Sequence, residues 1–234
     1  MKNRYGWIIA GCILALTFSG CEDIGDVTTE SKTVEADGAE SVEVNLKMGA
    51  GELRVSGGAR ALMEADFTYR SRRQPPEVDY DVSGGKGVLT VRRRRSGGPQ
   101  FGNAKNEWDV RLNGGIPVHL EVDLGAGESR LDLSELDLRA LTVDMGVGEM
   151  RLDLRGRYEQ NLEVSIDGGI GSGTIYFPSE AGVRVRVDGG IGSVDAAGFT
   201  KEGHFYTNEA YGKAPITIDV SVDAGIGSID LKLD

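Results

Sequence analysis

The chain has 234 residues, 37 of them acidic and 26 basic, for a formal net charge of −11. This length fits one or two domains, and the acidic balance argues against a nucleic-acid partner, because affinity for a phosphate backbone rests on Lys and Arg displacing counterions. Its 35 glycines follow no triplet register, which excludes collagen, and 39% hydrophobic residues are too many for a wholly disordered chain.

The N-terminus has the order of a secretory signal peptide. Lys2 and Arg4 precede an apolar run from Trp7 to Phe18, which is shorter than a membrane-spanning helix and meets small residues at its end. The sequence therefore predicts a signal peptide over residues 1–20. The segment Phe18-Ser-Gly-Cys21 resembles a bacterial lipobox, which implies cleavage before Cys21 and a diacylglycerol on its sulfur. Two acyl chains give the stable anchoring that one chain does not.

Residues 21–40 are predicted to form the lipidated cysteine and a flexible acidic tether, because the stretch from Glu22 to Glu40 is polar and has no apolar period. Cys12 would leave with the signal peptide and Cys21 would be acylated. We therefore expect no disulfide, even in an oxidising compartment. The expected location is the bacterial cell envelope, with the protein anchored in membrane lipid through Cys21 and exposed outside the cytoplasm.

A Gly-x-Gly-[Glu/Ser] turn occurs six times in the remaining chain. Each copy is flanked by alternating apolar residues, which is the pattern of half-buried strands. Several copies are 21 to 23 residues apart, which predicts a repeat of about 21 residues. The copies begin at Gly49, Gly125, Gly146, Gly169, Gly190 and Gly225.

The chain is expected to turn a corner at each copy. In the third copy the apolar positions switch from odd, at Met145, to even, at Met150, and glycine permits the positive φ that a corner requires. No helical pattern lies between the strands. These features predict an all-β fold, a single-domain parallel β-solenoid of roughly six to eight rungs over residues 41–234.

Two segments interrupt the repeat. Residues 57–115 are predicted to be irregular rungs, with one degenerate rung running from Val78 to Val91, and an inserted loop is predicted over about 201–215. The chain stops at Leu233-Asp234, at the end of a repeat strand with no capping helix. Because solenoids normally cap their last rung, self-association through this C-terminal rung is expected.

These motifs resemble the toast-rack proteins, a bacterial envelope family of unknown function that is related in its C-terminal repeats to antibiotic-response and candidate adhesin families. The resemblance covers nearly all of residues 42–234. It implies a β-solenoid of stacked strands and brings no established catalytic residue. The antibiotic-response relatives regulate envelope stress signalling, which implies a membrane protein as a partner. The segments that carry the resemblance are Met48–Val55, Val82–Val91, Asn106–Asn113 and Asp223–Ile229.

An aspartate stands two residues before the turn in five of the copies. On consecutive rungs these carboxylates would lie about 4.8 Å apart, and each adjacent pair would repel by about 1 kcal/mol in water and about 3.5 kcal/mol at an effective dielectric of 20. Either each aspartate accepts hydrogen bonds from the turn that follows, or a cation such as Ca²⁺ offsets the charge, with corner glutamates as further ligands. The column comprises Asp123, Asp144, Asp167, Asp188 and Asp223, and the candidate cation ligands are Asp123, Glu128, Asp144 and Glu149.

Two groups of residues are candidates for contact with a partner. The basic run either protects a strand edge from pairing or contacts anionic headgroups or acidic polymer. The aromatic residues of the inserted loop either pack the loop onto the rod or bind a sugar or a protein. The two groups are Arg92, Arg93, Arg94 and Arg95, and Phe205, Tyr206 and Tyr211.

No catalytic residue is indicated. His119 and His204 are the only histidines, and His119 alternates with apolar neighbours, so it is expected to point outward. No nucleotide loop, Gly-x-Ser-x-Gly elbow or His-Glu-x-x-His motif occurs. We therefore predict a non-enzymatic, lipid-anchored envelope protein that presents a binding surface to an envelope membrane protein or a cell-wall polymer. The alternative is a cell-surface adhesin or a self-assembling structural protein.

Overall fold

The computed structural model describes residues 26–70, 75–93 and 105–234. This part of the chain contains thirteen strands and no helix, which confirms the all-β prediction. The predicted signal peptide, the predicted lipid site at Cys21, and both Arg94 and Arg95 lie outside the described residues. No helix that could span a membrane occurs within the three described ranges.

The strands differ widely in length, from three residues to seventeen. In chain order they are β1 Val27–Val34, β2 Ser41–Ser56, β3 Met63–Arg70, β4 Glu77–Ser83, β5 Lys86–Arg92, β6 Asn106–Leu112, β7 Val118–Asp132, β8 Leu138–Asp153, β9 Leu162–Phe177, β10 Gly182–Asp195, β11 Thr200–Glu202, β12 Phe205–Thr207 and β13 Thr217–Leu233.

Six long strands stack in parallel, and each carries one copy of the Gly-x-Gly turn near its middle. Their spatial order is β2-β7-β8-β9-β13-β10, and we call them the parallel array. Equivalent repeat residues lie opposite one another, as Leu120 lies opposite Leu141. Apolar residues on both sides of the turn are buried, among them Val122 and Leu131. A slip of one residue would expose them all, so burial fixes the register.

Glycine is required at the corner by both conformation and space. Gly127 has φ 136° and Gly148 has φ 148°, in a region that residues with a Cβ rarely adopt. A Cβ on Gly148 would overlap the carbonyl oxygen of Gly127 on the neighbouring strand, and a Cβ on Gly127 would overlap that of Gly51. The predicted positive φ is confirmed at the second turn glycine of β2, β7, β8 and β9, whereas in β10 it lies at Gly189 and in β13 neither turn glycine has it.

The last two repeats do not stack in chain order. Strand β13 lies between β9 and β10 and pairs with both along almost its whole length. The predicted free C-terminal rung is therefore wrong, and so is the self-association expected from it, because both edges of β13 are already hydrogen-bonded. The edge strand is β10. Its first half is covered by the hairpin β11–β12, which occupies part of the predicted inserted loop 201–215.

The irregular segment closes the opposite end of the array. Strand β5 runs parallel to the first half of β2, and β6 runs parallel to its second half, so the two short strands together form one divided rung. The degenerate rung predicted from Val78 to Val91 is instead the antiparallel hairpin β4–β5. Strands β3 and β1 then add antiparallel beyond β6. Only β4 and β5 are joined by a short turn, at Gly84-Gly85, whereas longer segments connect β1 to β3 and β3 to β6.

The predicted flexible tether is wrong for residues 27–34, which form β1. This strand pairs antiparallel with β3 along its full length, and its polar side chains bond across the pair: the hydroxyls of Thr29 and Thr68 are 2.8 Å apart, and Ser31 donates to Asp66 at 2.5 Å. Most of its residues are exposed. An edge strand that buries neither face has no apolar period, which is why its sequence resembles that of a linker.

We expect Gly148→Ala to lower the free energy of unfolding by about 3 kcal/mol or more, because the new Cβ meets a backbone oxygen and a disallowed φ together. The matched control is Gly168→Ala, whose Cβ would meet nothing within 4 Å. That variant should change stability by no more than about 0.5 kcal/mol. Urea denaturation followed by circular dichroism measures both. Equal losses in the two variants would show that the corner imposes no special requirement.

Candidate binding surfaces along the corner

The predicted aspartate column exists as a row on the surface of the array. The register places Asp123 opposite Asp144, Asp144 opposite Asp167, Asp167 opposite Asp223, and Asp223 opposite Asp188. We call these five residues the acidic row. In the described part of the chain none of them accepts a hydrogen bond from the turn that follows it. Hydrogen bonds from the turn therefore do not offset the repulsion between neighbouring carboxylates.

Basic side chains lie at the two ends of the acidic row. Lys47 lies opposite Asp123, and its ammonium is 2.8 Å from the Glu121 carboxylate, which raises the pKa of Lys47. At the other end Arg186 and His204 lie 2.6 Å and 3.2 Å from Asp188. The middle of the row has no such partner in the described residues. There the pKa of Asp144 is raised, first by desolvation and then by the charges of Asp167 and Asp123.

The corner glutamates face arginines rather than a cation site. Arg54, Arg130 and Arg151 align in register on the strand halves that follow the turn, and we call them the arginine row. Arg130 bonds to Glu52 at 2.6 Å and to Glu128 at 3.2 Å. The sequence analysis missed this row, although its signal, Gly-x-Gly-Glu-x-Arg, is present in three copies.

The four predicted cation ligands do not converge. Asp123 and Asp144 are neighbours in the acidic row, and Glu128 and Glu149 are neighbours beyond the corner. Among the residues that the structure describes, no group of three or more His, Cys, Asp or Glu side chains could hold a metal ion. Ca²⁺ takes six to eight oxygen ligands, which this arrangement does not supply.

The basic run lies only partly within the described residues. Arg92 ends β5 and reaches Glu77 and Asp79, each at 3.1 Å, so its charge serves the β4–β5 hairpin. Arg93 follows, and its backbone amide donates to the Lys47 carbonyl at 3.1 Å. Strand β5 pairs with both β2 and β4, so Arg92 stands on no free edge, and contact of the run with headgroups stays a prediction.

The aromatic residues of the insertion have different environments. Tyr206 is buried in the core, so it packs the hairpin onto the array and is not free to meet a partner. Phe205 is exposed, and the Arg184 guanidinium lies 5.8 Å from its ring centroid and 5.6 Å from that of Tyr211. Arg184 also bonds to Asp219 at 2.5 Å. The cluster ties the insertion to β10 and β13.

Exposed apolar side chains occur at the corner itself. The middle residue of the Gly-x-Gly turn is alanine in β2 and β7 and a larger β-branched residue in the other four strands. Val147 is 51% exposed and Ile226 is 57% exposed. The register aligns these two with the equivalent positions of β9 and β10. We call the two exposed side chains, Val147 and Ile226, the corner ridge.

Residues 23–176 match the family model described as the N-terminal domain of toast_rack, DUF2154. The match spans more than half of the chain. The protein belongs to the toast-rack family. The resemblance that the repeat motifs indicated is thus confirmed, and the toast-rack chain matches no curated protein.

One solved structure has a closely similar fold. A candidate cell adhesion protein from Clostridium sporogenes ATCC 15579 is 38% identical, with a TM-score of 0.84, and the match covers 89% of the toast-rack chain and 100% of that protein. A candidate adhesin from Bacteroides fragilis NCTC 9343 is 10% identical with a TM-score of 0.28, covering 88% and 97% of the two chains. One from Parabacteroides distasonis ATCC 8503 is 14% identical with a TM-score of 0.26, covering 88% and 97%.

Asp144→Asn should raise the free energy of unfolding by about 1 kcal/mol at pH 7, allowing for solvent screening, because it removes the repulsion of one carboxylate by its two neighbours, Asp123 and Asp167. A carboxyl whose pKa is raised on folding destabilises the protein at a pH above that pKa. The destabilisation disappears as the pH falls past the usual value of 3.8. The gain should therefore vanish near pH 3. Urea denaturation across this pH range measures it.

Asp81→Asn is the control, since Asp81 is exposed on β4 outside the acidic row. It should leave stability unchanged at both pH values. Destabilisation by Asp144→Asn at pH 7 would contradict the repulsion and would indicate that the carboxylate is held by a bound cation.

Proposed function

We propose that this toast-rack chain is a lipid-anchored, non-enzymatic adhesion protein of the bacterial cell envelope. Its binding surface is the corner ridge together with the acidic row beside it. The observation that carries the proposal is the ridge itself, two β-branched side chains, Val147 and Ile226, that are more than half exposed at the same register position of a hydrogen-bonded array. Large exposed apolar patches mark interaction sites.

The composition of this surface defines the partner that fits it. Exposed apolar side chains beside a row of five carboxylates complement a protein surface with an apolar groove and basic groups at its rim. The same carboxylates would repel anionic headgroups and acidic polymers. A protein of the envelope or of another cell is therefore a better partner than an acidic polysaccharide. The 38% identical relative described as a candidate cell adhesion protein supports this direction.

The position of the ridge supports contact away from the membrane. Five residues separate Cys21 from the start of β1, and such a segment can span at most about 20 Å. If Cys21 carries the lipid, β1 therefore stays close to the bilayer. Strand β10 lies eight strand-to-strand steps from β1, or about 38 Å along the sheet. The corner ridge belongs to two of the four strands farthest from β1, where another surface can reach it.

The anchor is tested by Cys21→Ser. The variant should move from the membrane fraction to the soluble fraction and lose labelling by a clickable palmitate analogue, because the acyl chains supply the membrane affinity. Cys12→Ser is the control and should keep both properties. Unchanged membrane association of Cys21→Ser without label would exclude acylation at this residue as the anchor.

The binding surface is tested by the double variant Val147→Ser with Ile226→Ser. Cells that carry it should adhere at least tenfold less than wild-type cells to an epithelial monolayer or to a lawn of the same bacterium, with equal amounts of protein on the surface. Val88→Ser is the matched control, since Val88 is also exposed and β-branched but lies on β5, at the other end of the array. Equal adhesion of the ridge variant and the wild type would overturn the proposal.

A further inference from the structure

The inside of the corner holds a cavity at the β10 end of the array. Its volume is about 290 Å³, and it lies between the two halves of strands β8, β9, β13 and β10. Apolar side chains that line it include Met145, Met150, Ile166, Val222 and Ile229. Ile226 of the corner ridge and Asp188 of the acidic row also line it, so the cavity adjoins both surface features.

The cavity exists because side chains are missing from β9. Immediately before the corner the inward position is Leu124 in β7 and Met145 in β8, but Gly168 in β9. Beyond the corner Met150 of β8 is followed by Gly173 of β9. A Cβ on Gly168 would meet nothing within 4 Å, and one on Gly173 would meet only the Met150 methyl at 3.6 Å. Neither glycine has the positive φ of the corner. The backbone conformation therefore does not require glycine at these two positions. Their effect is to leave the cavity empty of side chains.

The mouth of the cavity is at the hairpin β11–β12. Beyond Val187 the outer edge of β10 pairs with no strand in the described residues, and the cavity is lined there by Lys201, His204 and Tyr206. The Lys201 ammonium lies 5.1 Å from the ring centroid of Tyr206. No carboxylate of the described residues is within ion-pair distance of this ammonium. Asp188, the one acidic residue at the mouth, is already bonded to Arg186 and His204.

We propose that this cavity binds a single acyl chain that ends in an anionic group, with the chain between β9 and β10 and the anion at Lys201. An apolar cavity of roughly 150 Å³ binds benzene, so 290 Å³ has room for a chain of about eight to ten carbon atoms. Methionine side chains adapt to flexible ligands of this kind. A free fatty acid and a lysophospholipid share this chemistry.

The predicted lipid on Cys21 would start at the far end of the sheet. Cys21 precedes β1, and β1 lies at the opposite end of the strand order from β10. We therefore expect a ligand from outside the chain, and the test excludes competing acyl chains by Cys21→Ser.

The test is titration of the purified full chain with decanoate, followed by calorimetry and by NMR of carboxyl-labelled decanoate. Every protein sample carries Cys21→Ser, so that no attached acyl chain competes. Saturable binding at one site with a Kd below about 1 mM is expected. A second arm uses lysophosphatidylglycerol with a ten-carbon chain. Binding of decanoate alone identifies free fatty acid as the source, and binding of both admits a membrane lipid.

Two variants separate the cavity from its mouth. Gly168→Met repeats the residue that β8 has at this position, fills the space and should weaken decanoate binding at least tenfold. Gly173→Leu fills the same space from the other side of the corner and serves if the first variant fails to fold. Lys201→Gln should weaken decanoate binding about fivefold without changing the binding of decanol, and Lys213→Gln, an exposed lysine on the same insertion, should change neither.

Three results would overturn the proposal. One is the absence of saturable binding of either amphiphile at millimolar concentration. Another is wild-type affinity in folded Gly168→Met. The third is a wild-type dimer, seen by sedimentation, that Gly168→Met dissociates while decanoate does not bind, which would make a second copy the occupant of the cavity.

Discussion

Parallel strands about 4.8 Å apart can all bend at one place only if nothing stands between their backbones there. In this protein a Cβ at Gly127, Gly148 or Gly171 would overlap a carbonyl oxygen of the neighbouring strand. The six corners are therefore stacked on glycine, and the stack fixes the register on both sides of the turn. Residues at the same repeat position therefore form a row across the sheet. The residue type in each row decides whether that part of the surface is acidic, basic or apolar.

Rows of like charge are the electrostatic consequence of that register. The acidic row brings five carboxylates side by side, with basic side chains only at its ends, and the pKa of Asp144 in its middle is raised by desolvation and by its two neighbours. Beyond the corner, Arg130 forms ion pairs with both Glu52 and Glu128. These ion pairs offset the repulsion between neighbouring glutamates. The two faces of the array are thus distinct, and the corner ridge separates them.

The inside and the outside of the corner change together along the array. Near β2 and β7 the outer position is alanine, and the inner positions are filled by Met48 and Leu124. Toward β9 and β10 the middle residue of the turn becomes isoleucine, and the inner position just before the corner becomes Gly168, Ala224 and Gly189. A cavity opens where these side chains are missing. A protein stabilised only by its core would fill this space, since each unfilled void costs contacts.

Sequence periodicity by itself determined the strands, the glycine corners and the acidic row, because the alternation of apolar residues and the repeat spacing are local properties that parallel stacking preserves. Only the tertiary structure decided the order in which the strands stack. Strand β13 lies inside the array because its register suits both neighbours, and nothing in its sequence distinguishes an edge from the centre. The same applies to β1, whose polar sequence resembles a linker until β3 pairs with it, and to the cavity, which depends on glycines that look like the corner glycines but face inward.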